Sequence, residues 1–212
     1  MAYRETNRVR ERKQATQEAI LQSALQLLNQ AGFAGLQMVI VARKAKVATG
    51  TVYRYFPSKE QLCAAVFKHA TEIEVAQVEQ QLHVTQQSAD QRIAAALTTF
   101  ARRALRAPVT AWALIAEPVE PAVVGARLLY RERYANLFAL TIEEGIRAGI
   151  FPAQDCALSS RALVGAIAEA LIGPLATKAN ENPEDAISQS IQFCLQALTA
   201  KPFAVDAAGS LR

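Results

Sequence analysis

Residues 38–62, MVIVARKAKVATGTVYRYFPSKEQL, decide the reading of the whole chain. Their spacing predicts a short helix over residues 38–45, a turn at residues 46–48, and a second short helix over residues 49–56 that is too polar and aromatic on one side to be wholly core. Pro57 and Ser58 stop that helix. Ser58 is a good N-cap for the next one, and Glu60 in its first turn suits the positive end of the helix dipole. Two short helices joined by a tight turn form the unit that docks in a DNA major groove, the second presenting side chains near its N-terminus to base edges.

Upstream, Ile20, Ala24, Leu27, Leu28 and Ala31 recur at helical spacing from residue 15, and Gly32 ends the run as a C′ glycine would. That predicts a first helix packed over the pair. Residues 1–14 carry Arg4, Arg8, Arg10, Arg12 and Lys13 without apolar periodicity, the pattern of a flexible basic arm. Residues 1–60 hold 10 Lys/Arg against 4 Asp/Glu, a net +6, whereas the remainder holds 13 against 15, a net −2. A basic head on a near-neutral body suits a polyanionic partner.

Downstream the chain reads as helix after helix, an all-α class with no β-type alternation. Residues 58–87 predict a helix about 45 Å long, with Leu62, Val66, His69, Ile73 and Ala76 along one face. Residues 90–106 follow, with Ile93, Leu97, Phe100, Ala101 and Leu105 inward. Residues 109–116 carry the only tryptophan, Trp112. Glu117, Pro118, Glu120 and Pro121 break the chain, and residues 122–148 form a long helix ending at Gly149. Two last helices cover residues 155–178, which Pro174 should kink or shorten, and residues 183–199, with Pro183 at the first position.

Residues 15–62 resemble the DNA-binding domain of the TetR (tetracycline repressor) family. The resemblance rests on the amphipathic first helix, the glycine-aromatic turn, the helix-turn-helix, and the signature Tyr53, Phe56, Lys59 and Leu62 preceded by Thr49, Gly50 and Thr51. It implies that Thr49, Gly50 and Thr51 open a recognition helix, with Gly50 letting the backbone approach DNA. It also implies that Tyr53, Tyr55 and Lys59 contact phosphates. Arg54 is suited to a phosphate or to guanine, the commonest specific pairing of arginine. Val52, Phe56 and Leu62 belong to the core.

The chain departs from the family pattern at several positions. Lys46 stands where the turn usually has glycine; a left-handed backbone there costs roughly 1 kcal/mol, which a phosphate contact would offset. Ala48 replaces the usual serine N-cap, so capping shifts to Thr49 or is lost. Gln37 stands where a phosphate-binding threonine is common. Four consecutive apolar residues, 38–41, leave at least one apolar side chain off the core face.

The last two helices are dense in small and apolar residues, among them Ala162, Leu163, Gly165, Ala166, Ala168, Leu171 and Gly173, then Ile187, Ile191, Cys194, Leu195 and Leu198. They offer more apolar face than one small domain covers, which predicts a homodimer through a four-helix bundle, as the resemblance also implies. Phe100, Arg103, Trp112, Tyr130, Tyr134 and Phe138, from three helices, are candidates for a small-molecule pocket. Glu169 stands in an otherwise apolar helix, where an unpaired carboxylate is costly; it pairs with an arginine, points across the dimer or binds a ligand.

Cofactor, metal and catalytic chemistry find no pattern. There are only two histidines, His69 and His83, and no Cys-x-x-Cys, phosphate loop or nucleophile elbow. Cys63, Cys156 and Cys194 are odd in number and widely spaced, which suits a reducing cytoplasm; Cys63 reads as a structural thiol, or else as a redox sensor. The absence of an 18-residue apolar run and of a signal-peptide pattern predicts a soluble cytoplasmic protein without a membrane partner. The expected organisation is a DNA-binding domain over residues 1–57, a helical effector-binding and dimerisation domain over residues 58–200, and a tail over residues 201–212. The expected function is a transcriptional regulator, a repressor released from a double-stranded DNA operator by a small apolar or amphipathic effector. The alternative is a DNA-binding dimer without a ligand, acting constitutively or under a protein partner.

Overall fold

Helix follows helix in the computed structural model, which describes residues 7–177 and 183–200. Among these residues there are nine α-helices and one short 3₁₀ turn, and no strand. The first helix, α1, runs Asn7–Ala31. It therefore starts well before residue 15, and the expected flexible arm does not extend over residues 7–14. Arginine, glutamate, lysine and glutamine are good helix formers, and each residue added to an existing helix gains a hydrogen bond without a new nucleus. Residues 1–6, with Arg4, and the expected tail lie outside the described residues.

Gly32 ends α1 at φ +64°, its N–H donating to Leu28 O at 2.9 Å. A 3₁₀ turn, Phe33–Gly35, leads into α2, Met38–Lys44, and then α3, Thr49–Tyr55. Both short helices stand within a residue of their expected bounds. Lys46 between them has φ +56°, the left-handed conformation, and the Val47 N–H reaches back to Ala42 O at 3.0 Å, closing the end of α2 as a glycine-type cap would. Ile20, Ala24, Leu28, Phe33, Val41, Val52, Phe56, Leu62 and Phe67 are buried in one core. Val39 is the apolar residue left outside, 64% exposed.

Helix α4 runs Lys59–Leu82 and is capped by Ser58, whose Oγ accepts the Gln61 N–H at 3.1 Å. It ends short of residue 87. The next helix, α5, Ala89–Arg106, opens with a capping box in which the Ser88 N–H donates to Gln91 Oε1 at 3.2 Å. Arg92 then donates to Leu82 O at 2.9 Å, closing the end of α4. The buried stripe of α4 also differs from the expected one. It passes through Leu62, Val66, Ala70, Val75, Val78 and Leu82, while Ile73 and Ala76 are exposed. From Val66 the stripe steps to Ala70 rather than His69 and then to Val75, which carries it past Ile73.

Helix α6 spans Pro108–Ile115 and α7 spans Pro121–Arg147. Gly149 follows α7 at φ +73° as expected, with Ile150 N–H donating to Gly145 O at 2.8 Å. Helix α8, Cys156–Thr177, is capped by Asp155, whose Oδ1 accepts from the N–H groups of Ala157 and Leu158 at 2.9 and 3.0 Å. Pro174 lies inside it, and the helix continues to Thr177. Helix α9 is Pro183–Thr199.

The described chain forms two compact units. One contains the residues up to Glu74 together with Ala104–Tyr130; the other contains Val75–Arg103 and the residues from Arg131 onward. Helix α6 and the start of α7 thus pack with the helix-turn-helix, although they stand far from it in sequence. In the second unit Ile93, Leu97, Phe138, Ile142, Leu163, Ile167, Leu171, Ile187, Cys194 and Leu198 are buried.

One composition reading is corrected by α8. Cys156–Ala176 is, by length and composition, apolar enough to cross a membrane, and 28% of its most apolar window is buried within the chain. Its exposed face carries Leu158, Ala162, Gly165 and Gly173, but also Arg161 and Glu169. Only two charges interrupt a run of small and apolar residues, so the average stays high. Glu169 itself is exposed. It bears no burial cost in the single chain, contrary to the expectation drawn from its apolar neighbours.

Candidate nucleic-acid interface

Helix α3 has two unlike faces. Val52 and Phe56 are buried and hold it to the core, while Tyr53, 48% exposed, and Arg54 point to solvent. The Arg54 guanidinium carbon lies 5.4 Å from the centroid of the half-buried Tyr55 ring, a cation–π contact that steadies a long side chain. Thr49 and Thr51 are half-buried on the first turn. Gly50 between them is exposed, and a β-carbon added there would meet nothing within 4 Å. No packing inside the chain requires glycine at this position.

Ala48 precedes α3 in extended backbone and supplies no side-chain cap; its carbonyl accepts the Thr51 N–H at 2.8 Å. Capping is therefore lost rather than shifted to Thr49. Gln37 occupies the corresponding place before α2, exposed and likewise without a side-chain cap bond. Lys46 is exposed in the turn, beside the exposed Arg43 and half-buried Lys44. The helix-turn-helix thus brings the expected residues 37, 46, 49–51, 53–55 and 59 into one unit around two short helices.

Lys59 opens α4 with its side chain 43% exposed, and its Nζ lies 3.6 Å from Glu120 Oε1. Glu120 belongs to the connection between α6 and α7, which folds against the head at three points. Glu117 accepts the N–H groups of Phe33 and Ala34 at 2.9 and 3.0 Å with its two carboxylate oxygens. Ala122 N–H donates to Glu60 Oε1 at 3.3 Å. Arg127 fastens the end of α6 by donating to the carbonyls of Ala113, Leu114 and Glu117, each at 3.0 Å. Sequence reasoning took Glu117 and Glu120 only as part of a chain break. The one signal available was a pair of carboxylates at residues 117 and 120, one before each of two prolines, in a chain with a strongly basic head.

Cys63 sits one turn beyond Lys59 and is fully buried. Burial, with help from the Glu120 carboxylate and against the Lys59 ammonium, pushes its thiol up to about 11. A buried thiol that stays protonated is a structural side chain, not a redox-sensing thiolate.

The candidate pocket residues fall into both units. Trp112, half-buried, and Tyr130 belong to the first; Tyr130 meets Phe67 edge-on at 5.8 Å and donates its hydroxyl to Glu72 at 2.6 Å. Phe100, Arg103, Tyr134, Phe138 and Glu169 belong to the second. There Phe100 and Tyr134 meet edge-to-face at 6.0 Å and Phe138 is buried, while Arg103 is half-buried and Glu169 exposed.

Residues 20–66 match the sequence profile of the bacterial regulatory proteins of the tetR family. Over 43 residues the chain is 51% identical to the HTH-type transcriptional repressor KstR of Rhodococcus jostii, a match that covers 20% of each chain. The likeness to such curated relatives therefore spans about a fifth of their length. Among solved structures, the transcriptional regulator FadR of Bacillus subtilis, in complex with stearoyl-CoA, superposes with a TM-score of 0.70 at 17% identity, covering 85% of this chain and 98% of that one. RolR in complex with resorcinol gives 0.69 at 21% identity, covering 90% and 91%. At these identities the agreement concerns the fold.

Proposed function

We propose, from the match of residues 20–66 to the tetR family of bacterial regulatory proteins, that the chain is a member of that family and a DNA-binding transcriptional repressor of the cytoplasm, released from its operator by a small apolar or amphipathic effector. The observation that carries this reading is the divided surface of α3: buried Val52 and Phe56 behind, exposed Gly50, Tyr53 and Arg54 in front. Arg54, Thr49 and Thr51 read base edges, while Gln37, Lys46, Tyr53, Tyr55 and Lys59 hold phosphates, with Gly50 admitting the backbone of the DNA.

Residues 1–57 carry DNA binding; residues 58–200 carry effector binding and dimerisation. Two copies associate through α8 and α9, whose exposed Leu158, Ala162, Gly165 and Phe193 are the apolar surface that a four-helix bundle covers. The effector binds among Phe100, Arg103, Tyr134 and Phe138 of the second unit, with Glu169 as a further contact. Relatives of this fold bound to stearoyl-CoA and to resorcinol support an apolar or amphipathic ligand. Helix α4 belongs to both units, from Lys59 to Leu82, and is about 36 Å long at 1.5 Å per residue. An effector that favours one position of α4 shifts the head, provided its affinity differs between the two states.

Selection of duplexes from random DNA, followed by sedimentation of the complex, tests the reading. A near-palindrome with half-sites about 34 Å or a small multiple apart, bound by a dimer, is the expected result. A protein that selects no sequence, or stays monomeric on DNA, contradicts it. A screen of apolar metabolites by thermal shift, repeated on the operator complex, then separates an effector-controlled repressor from a constitutive one.

A further inference from the structure

We infer that Glu120 is a built-in competitor of the DNA phosphate for Lys59, so that the connection between α6 and α7 sets operator affinity. The inference rests on the reading of Lys59 as a phosphate contact and adds a residue outside the helix-turn-helix to the binding machinery. Its basis is the 3.6 Å approach of the two side chains, 43% and 37% exposed. At that exposure the pair is weak and open to exchange, because water screens both charges. A carboxylate and a phosphate oxygen offer the same kind of acceptor to an ammonium. DNA therefore meets a lysine that is already partly neutralised, with a negative charge beside it.

Glu120 is held there rather than drifting. On one side Glu117 is fixed by the Phe33 and Ala34 N–H groups, and on the other the Ala122 N–H is fixed by Glu60. The same segment is tied to α7 through Arg127, which grips the carbonyls of Ala113, Leu114 and Glu117. Any change in the seating of this connection would move Glu120 toward or away from Lys59. Affinity is then adjustable without any change in the reading helix.

The test uses the full chain as wild type, Glu120→Gln, Glu120→Ala, Lys59→Ala and the Lys59→Ala, Glu120→Gln pair. Each is titrated by fluorescence anisotropy on the selected operator and on a scrambled duplex, at about 50 and about 200 mM salt. Both Glu120 variants should bind both duplexes about two- to fivefold more tightly than wild type, and the salt slope should steepen by up to about 1 per subunit. In the Lys59→Ala background, Glu120→Gln should change nothing. A damaged fold does not produce tighter binding, so the sign of the effect separates competition from a structural role. Unchanged or weaker binding in both Glu120 variants overturns the inference. A gain that persists in full without Lys59 overturns it too, since it would be long-range repulsion between Glu120 and DNA. Wild-type protein that binds neither duplex removes the DNA reading itself, whereas wild-type binding without a Glu120 effect removes only this inference.

Discussion

The carboxylate of Glu117 fills the place where Gly32 has no side chain: a β-carbon on Gly32 would lie 2.5 Å from Glu117 Oε2. The two residues make one device. Gly32, at φ +64° and ψ −164°, turns the backbone so that the following N–H groups, Phe33 and Ala34, converge on the carboxylate. Such a pair of N–H groups is a small anion seat, and here an internal carboxylate occupies it.

Gly32→Ala therefore combines backbone strain with a clash. It should lower unfolding free energy by about 1–3 kcal/mol. Glu117→Ala should lose a similar amount, about 1–3 kcal/mol, by leaving the N–H of buried Phe33 without a partner. The double variant should lose less than the sum, because both changes destroy the same seat. Urea unfolding at one fixed protein concentration measures all three; strict additivity would mean that the seat is not shared.

Lys46→Gly should separate stability from binding. Lys46 holds φ +56° at a cost of roughly 1 kcal/mol that glycine does not bear, so the variant should be no less stable than wild type. Its DNA affinity should nevertheless fall on specific and scrambled duplexes alike, with the salt slope reduced by about 1 per subunit. An unchanged slope would assign Lys46 to solvent.

Gly50→Ala should dissociate the two properties in the same direction. Nothing within 4 Å opposes a methyl group there, and alanine favours a helix over glycine by up to about 1 kcal/mol. Thermal stability should hold or rise while operator binding weakens, as the methyl keeps the DNA backbone away. Arg54→Ala, by contrast, should cost roughly 1–3 kcal/mol on the selected operator and little on a scrambled duplex. Equal losses on both would make Arg54 a backbone contact.

The cysteines set a dependence on alkaline pH. In the folded chain Cys63 titrates at about 11 against an ordinary 9.0, with burial the main cause, and Cys194 is raised by burial as well. The unfolded chain thus releases the Cys63 proton first. The stability contributed by this thiol is complete below pH 9.0 and is lost as pH rises toward about 11. Urea midpoints followed across that window should fall more steeply in wild type than in Cys63→Ala. Parallel curves would show that the thiol titrates normally.

Much of the local architecture was legible without coordinates, because it depends on residues close together in the chain. The Ser58 cap, the left-handed glycines 32 and 149, the strained Lys46 and the bounds of α2 and α3 all follow from neighbours within a turn or two. So does the capping box of Ser88 and Gln91, which opens α5 at Ala89 and leaves residues 83–88 outside α4. The roles of Glu117, Glu120 and Glu169 were not legible. Glu117 bonds to Phe33 across 84 residues, and its partners are backbone N–H groups, which carry no sequence signature. Glu169 has apolar neighbours in sequence yet stands on an exposed face, since a helix turns successive residues through different surroundings. Sequence alone determined which helices form and how they begin and end, through short-range hydrogen bonds, capping and periodicity. Tertiary structure decided which charges meet, because an ion pair or a seated carboxylate depends on distances of a few ångströms between segments brought together only by burial of the core.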